Sequence, residues 1–310
     1  MNAPQRQTRT HLISLFQEHG LNPRGDLGQN FLIDLNLLEL IVHEARLGPD
    51  DVILEVGAGT GGLTTYLSAA AAVVSVEYDP NMYAMARQAV AGRDNVTLIN
   101  TDALKSKNQI APVVMDAVRR ELAVDSKRRL KLVANLPYHV GTPIIANLVA
   151  SDLDWECMVV TVQWELAERM AAKPGSGDYS ALSVYLQSQC VIKTLRKLGP
   201  TVFWPQPSVD SAIVRIDPDV AKRAQIVDRA AFQLFLRDVF TQRRKHLRGV
   251  VANLFKSRLS KQQVDSVLES LQFSKETRAE ELDVRQLVEL SNRLQRCLRG
   301  DTLPIENTQT

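Results

Sequence analysis

The stretch Asp51-Val52-Ile53-Leu54-Glu55-Val56-Gly57-Ala58-Gly59-Thr60-Gly61-Gly62 decides the fold. Its first six residues are a short apolar run of the kind buried on both faces of a parallel sheet, and Leu63 to Ala70 read as the helix that follows. Between them Gly57, Gly59 and Gly62 match the spacing G-x-G-x-x-G, in which glycines let the backbone pass close to a ligand. The next run, Ala72-Val73-Val74-Ser75-Val76-Glu77, reads as a second strand. It ends in an acid 20 residues after Gly57, where a carboxylate can accept both hydroxyls of a ribose. A third unit, Val96-Thr97-Leu98-Ile99-Asn100-Thr101-Asp102, ends in another acid at a strand's carboxyl edge, suited to accept the amine of an adenine. Either acid could instead cap the helix after it.

Working outward, strand-like and helix-like segments alternate to about Val160, which predicts a doubly wound parallel sheet. The pattern then changes: Asp178 to Leu186 continues into Cys190-Val191-Ile192, a Pro-rich turn runs from Phe203 to Pro207, and Ser211 to Ile216 read as a last strand. From Val220 the periodicity is helical, with Phe232, Phe235, Leu236, Val239 and Phe240 on one stripe. The expected organisation is an α/β domain over residues 1–218, a small helical domain over 219–300, and a loose polar tail at 301–310.

The tetrapeptide Asn135-Leu136-Pro137-Tyr138 follows the apolar run Leu130 to Ala134. An adenine amine delocalises its lone pair into the ring and attacks a methyl sulfonium poorly. If the Asn135 side-chain oxygen and the Leu136 carbonyl each accept one amine N–H, the lone pair is turned toward the methyl group, in line with the departing sulfur. Pro137 stiffens the turn, and Tyr138 offers a ring face for a base taken out of its helix. Four such residues also occur at ordinary strand-to-turn junctions.

Several motifs taken in order are more specific than any one of them. Gly28-Gln29-Asn30-Phe31-Leu32, Glu55-Val56-Gly57-Ala58-Gly59, Glu77, Asp102, Asn135-Leu136-Pro137-Tyr138, Phe203-Trp204-Pro205-Gln206-Pro207-Ser208-Val209-Asp210-Ser211 and Gln242-Arg243-Arg244-Lys245 resemble the ribosomal RNA adenine dimethyltransferases, most closely those of the bacterial small subunit. The resemblance runs from about residue 20 to residue 300. It implies a Rossmann-like class I S-adenosylmethionine-dependent methyltransferase sheet, with the last strand antiparallel, and a C-terminal helical domain. It implies S-adenosyl-L-methionine as cofactor, with Asn30, Leu32, Gly57, Gly59, Glu77, Asp102 and Asn135 as contacts, and Asn135, Leu136, Pro137 and Tyr138 at the chemistry. The substrate would be small-subunit ribosomal RNA or an immature small subunit, dimethylated at adenosine amines during subunit maturation by a monomeric enzyme. Two alternatives stay open within the resemblance: the antibiotic-resistance dimethyltransferases of large-subunit RNA, whose tetrapeptide more often has Ile where Leu136 stands, and non-catalytic RNA-binding or transcription-factor relatives. A nicotinamide-dependent oxidoreductase would share the glycine turn and Glu77 but gives no reason for Asn-Leu-Pro-Tyr.

The chain departs from the family pattern in places. Arg24-Gly25-Asp26 stands where a more basic run is usual, His139, Val140 and Gly141 replace Asn-Ile-Ser, and Ser208 replaces a common Lys. Residues 105–129, longer than typical and containing a helix over Val113 to Leu122, are expected to be a surface elaboration.

Composition bounds the rest. The chain has 310 residues, 45% hydrophobic and 23% charged, as a globular enzyme of one large and one small domain would. Cys157, Cys190 and Cys297 lie far apart without a C-x-x-C pair, which suggests neither zinc nor a disulfide framework and places the protein in a reducing, cytoplasmic setting. The five histidines show no metal-ligand spacing, and no apolar run approaches the roughly 18 residues of a membrane span. The start, with Arg6, Arg9 and no acid before Glu18, reads as irregular chain passing into a helix, or alternatively as a mitochondrial presequence. Net charge is only +2, yet residues 201–310 hold 18 Lys plus Arg against 14 Asp plus Glu. There Arg237, Arg244 and Arg248 fall at helical spacings beside Arg243 and Lys245, a basic face suited to phosphates or simply a solvated helix face.

Overall fold

A computed structural model describes residues 6–300. The main sheet comprises β1 (Asp51–Val56), β2 (Ala72–Glu77), β3 (Val96–Asn100), β4 (Arg129–Asn135), β5 (Trp155–Gln163), β6 (Cys190–Leu198) and β7 (Ser211–Pro218). Their spatial order is β3-β2-β1-β4-β5-β7-β6. Strands β1 to β5 are parallel to their neighbours, and β7 runs antiparallel to β5 with Ser211 opposite Gln163. Every residue of β1 and β2 is buried, as a sheet covered on both faces requires. The order reverses between β1 and β4, and in such sheets the crevice outside the carboxyl ends at that point is where a ligand fits.

The helices around the sheet are α1 (Arg9–Glu18), α2 (Leu35–Ala45), α3 (Gly62–Leu67), α4 (Pro80–Ala89), α5 (Pro112–Leu122) and α6 (Gly141–Ala150). Local chemistry sets their starts: Asp34 accepts N–H bonds from Asn36 and Leu37 to open α2, and Asp79 does the same for Asn81 and Met82, with Pro80 in the first turn of α4. Along α2, Leu37, Leu38, Ile41 and Ala45 lie on one face and join the core with Ile53, Val73, Val133 and Val159. Helix α1 is tied to α4, since Phe16 packs on Met82 and Met85 beside Phe31 and Trp204.

The segment over residues 105–129 is not a surface elaboration. Its helix α5 buries Val114, Met115, Ala117 and Val118 against β1, β2 and β4, as the crossover that returns the chain from β3 to β4. Those four residues fall at the i, i+1, i+3, i+4 spacing of one helical face, the pattern of a core face, which a reading by length alone overlooks.

The chain forms two compact units, and their boundaries differ from the contiguous division at residue 218. The first runs to Ala167 and resumes over Ile192–Pro218; the second takes Glu168–Val191 and the chain from Asp219. Helix α7 (Trp164–Ala171) crosses the first boundary, and the second unit contains α8 (Ala181–Gln187), α9 (Val220–Ala224), α10 (Arg229–Phe240), α11 (Leu247–Phe255), α12 (Lys261–Ser270) and α13 (Val284–Arg299). The physical reason is Tyr179, fully buried, whose hydroxyl donates to the Leu282 carbonyl at 2.9 Å and whose ring meets Phe240 edge-on. Helix α10 buries Phe232, Phe235, Leu236 and Val239, four of the five residues on the expected stripe. Among the described residues no helix is long and apolar enough to cross a membrane. The expected loose tail at 301–310 and the first five residues lie outside the described chain.

Candidate active site

A cavity of about 340 Å³ opens at the switch between β1 and β4, in the size range of small-molecule sites. Its wall includes Asn30, Leu32, Gly57, Gly59, Glu77, Asp102, Asn135, Leu136, Pro137 and Tyr138, so the fold brings together every cofactor and chemistry residue expected from the sequence. The glycine turn and the tetrapeptide touch. At Gly57 φ is +86°, a region L side chains avoid, and a Cβ there would stand 2.8 Å from Pro137 Cδ. At Gly59 φ is +56° and a Cβ would stand 2.9 Å from the Phe31 ring. Only backbone can occupy these positions while the cavity stays open between them.

The acids have distinct tasks. Asp79, not Glu77, caps α4. Glu77, nearly buried, accepts N–H bonds from Gly59 and Asp79, both at 2.8 Å, so its two oxygens are oriented by backbone at the cavity wall. Burial raises its pKa, against the lowering effect of those N–H groups. A second buried carboxylate was not singled out from the sequence. Glu55, in the penultimate position of β1, accepts hydroxyl bonds from Thr64 at 2.7 Å and Ser75 at 2.5 Å on one oxygen. Burial lifts its pKa to about 7, which the two hydroxyls oppose and the nearby Glu77 charge reinforces. An acid one residue before the glycine turn, within the apolar run Val52 to Val56, was the available signal. Asp102 is exposed at the cavity rim, and its carboxylate accepts the Leu104 N–H at 2.8 Å, a turn bond that leaves it facing the same space.

Asn135 ends β4, and its Nδ2 donates to the Asn30 carbonyl at 2.9 Å. A carbonyl only accepts, so this bond assigns the amide orientation and leaves Oδ1 as the acceptor of a residue that lines the cavity. Asn30 thereby connects the Gly28 to Leu32 segment to the tetrapeptide. Tyr138, half-buried, shares a 2.7 Å hydrogen bond with Ser211 Oγ, and burial raises its phenol pKa. Gln7 also enters the wall from before α1; its Nε2 donates to the Thr60 carbonyl at 3.0 Å and its Oε1 accepts from the Thr60 hydroxyl. Nothing in the sequence signals a partner 53 residues away.

These residues fit an adenosyl cofactor. Glu77 and Asp102 are acceptors for hydroxyls and an amine, and the glycines keep the cavity clear.

The family model described as Ribosomal RNA adenine dimethylase matches residues 20–296. The chain belongs to that family. A relative from Lactiplantibacillus plantarum, named Ribosomal RNA small subunit methyltransferase A, is 36% identical over 283 residues, covering 91% of this chain and 93% of its own. One of the same name from Pediococcus pentosaceus is 37% identical, covering 93% and 94%. Among solved structures, a dimethyladenosine transferase from Plasmodium falciparum has a TM-score of 0.71 at 25% identity, covering 86% of this chain and 98% of its own. The 23S rRNA methyltransferase ErmE shares the fold, with a TM-score of 0.58 at 23% identity over 86% of this chain.

For this member of the dimethylase family the expected basic face of the second unit needs correction. Helix α10 ends at Phe240 and α11 begins at Leu247, with turns between, so Arg237, Arg244 and Arg248 do not share one helical stripe. Arg243 is half-buried and braces the fold, donating to the Tyr179 and Gly177 carbonyls at 2.5 and 3.0 Å and lying 3.3 Å from Glu280. Arg237 pairs with Asp238 at 2.7 Å, and Arg248 grips Asp265 through two bonds of 2.5 Å. Arg244 and Lys245 remain exposed in the intervening turn. Spacing in sequence cannot reveal where a helix breaks or which acids the fold supplies as partners. Among the described residues no group of His, Cys, Asp and Glu is placed to hold a metal ion.

Proposed function

We propose that this protein transfers methyl groups from S-adenosylmethionine to the exocyclic amine of adenosines in small-subunit ribosomal RNA, twice on each target, as part of subunit maturation. The observation that carries the reading is the Asn135 amide, whose nitrogen is held by the Asn30 carbonyl, which leaves its oxygen as the acceptor in the wall of a cavity shared with the glycine turn and Glu77. The names of the relatives above support small-subunit RNA, as does Leu136 in the tetrapeptide.

The bound cofactor supplies a methyl group activated on a sulfonium, already a good leaving group. The chain does the rest by positioning. Asn135 Oδ1 and the Leu136 carbonyl accept the two amine N–H bonds, which directs the nitrogen lone pair at the methyl group. Tyr138 stacks on the base, while burial, outweighing the lowering effect of its bond to Ser211, raises its phenol pKa, keeps it protonated at neutral pH and excludes it as a base. A dedicated base is unnecessary, because the amine proton becomes acidic once the nitrogen is alkylated. Glu77 holds the ribose and Asp102 the cofactor adenine. Arg244 and Lys245 supply phosphate contacts in the second unit.

Labelled S-adenosylmethionine offered with unmodified small subunits, large subunits and free RNA, followed by mapping of the labelled nucleotides, tests the reading. Dimethyladenosine in the small-subunit RNA is expected; label confined to large-subunit RNA, or absent throughout, refutes it.

A further inference from the structure

Strands β1 to β5 bring their carboxyl ends to the active edge of the sheet, whereas β7, running the other way, brings its first residue there. That residue is Ser211. It is completely buried opposite Gln163, and its Oγ lies 2.7 Å from the phenol oxygen of Tyr138, 73 residues earlier in the chain. The backbone beneath it is held: the Asp210 carbonyl accepts the Trp164 N–H at 2.9 Å, and the Asp210 carboxylate pairs with Lys197 at 2.9 Å. The antiparallel strand therefore delivers a fixed hydroxyl to the far end of the Tyr138 ring.

A stacking ring transmits its own tilt to the base lying on it. Tyr138 follows Pro137, whose φ is restricted, so the near end of the residue is stiff, and the phenol oxygen is the remaining handle by which the ring plane can be set. We infer that Ser211 is a positioning residue for the target base: by holding the Tyr138 hydroxyl it sets the plane on which adenine stacks, and so the angle at which the amine meets the methyl group. The inference rests on the adenine-methylating reading above. Ser211 touches no reacting atom, so its influence passes wholly through Tyr138.

That dependence is testable with Ser211→Ala, Tyr138→Phe and the double variant, measured in single-turnover transfer to unmodified small subunits. Each single change removes one side of the same hydrogen bond and is expected to slow transfer about 10-fold, with the double variant no slower than either single. Tyr138→Ala, which removes the stacking face as well, is expected to be far slower than Tyr138→Phe. Cofactor affinity of Tyr138→Phe stays at the wild-type value and its melting temperature falls by no more than the roughly 2–4 °C that one lost hydrogen bond carries, which separates positioning from support of the fold. Tyr138→Phe alters a half-buried residue and leaves the buried serine in place, so the inference stands or falls on it even where Ser211→Ala misfolds. Wild-type transfer rates in either single variant, or losses that multiply in the double, overturn the inference alone. A wild-type protein that methylates no adenine overturns the functional reading and the inference together.

Discussion

Replacing Asn135 by Asp changes two atoms' chemistry and little of the side chain's shape. The amide now donates to the Asn30 carbonyl at 2.9 Å and keeps its oxygen as the acceptor in the cavity wall. A carboxylate has no donor, so it faces that carbonyl repulsively and swings away from the position where it would accept an amine N–H. Asn135→Ala removes donor and acceptor together. A preorganised hydrogen-bonding group aimed at the reacting atoms is worth about 100- to 1000-fold in rate, or roughly 3–4 kcal/mol. The structural share is smaller. One partly buried bond contributes about 1 kcal/mol net, which for a domain of this size lowers Tm by about 2–4 °C. The two effects therefore separate. Single-turnover transfer at saturating cofactor and RNA, beside calorimetric unfolding of the same samples, is expected to show both variants folded and transferring at least about 100-fold more slowly than wild type. A folded Asn135→Ala protein working within about threefold of wild type would refute the amine clamp and with it the role of the tetrapeptide.

Three further outcomes follow from the same geometry. Glu77→Ala removes an acceptor whose oxygens are held by Gly59 and Asp79, so S-adenosylmethionine affinity measured by titration calorimetry should fall by about 1.5–3 kcal/mol per charge-assisted bond lost while RNA affinity holds; loss of RNA binding alone contradicts the ribose role. Glu55 has a folded pKa raised from 4.5 to about 7, so between those values the folded state binds more protons than the unfolded one and wild-type stability declines as pH rises; denaturant titrations from pH 5 to 8 should show a decline of about 3 kcal/mol that Glu55→Gln abolishes, and parallel curves for the two proteins contradict it. Arg244→Glu with Lys245→Glu should weaken binding to small subunits and flatten its salt dependence without shifting Tm, because both residues are exposed; an unchanged salt slope removes this turn from the RNA surface.

Much of the fold and site was legible along the chain because it depends on local rules. Parallel strands buried on both faces are mainly apolar, so β1 and β2 appear as runs that the structure reproduces residue for residue. A turn that comes within van der Waals distance of a proline ring must be glycine, so Gly57 announces itself. The tetrapeptide combines an acceptor, a rigid turn and a ring in four consecutive residues, and its chemistry follows from their types.

Tertiary structure decided what depends on partners distant in sequence. Glu77 ends β2 and Asp79 follows two residues later, and only the fold shows Asp79 capping α4 while Glu77 lines the cavity. Arg243 and Arg244 are neighbours of identical type; a helix break and the buried Tyr179 turn one inward as a brace and leave the other in solvent. Residues 168–191 join the C-terminal helices because Tyr179 finds its acceptor at Leu282, and Ser211 meets Tyr138 because β7 enters the sheet reversed. Local propensity and pattern are properties of short segments and can be read along a chain, whereas burial, charge pairing and the orientation of a polar side chain are fixed by what the rest of the molecule places opposite it.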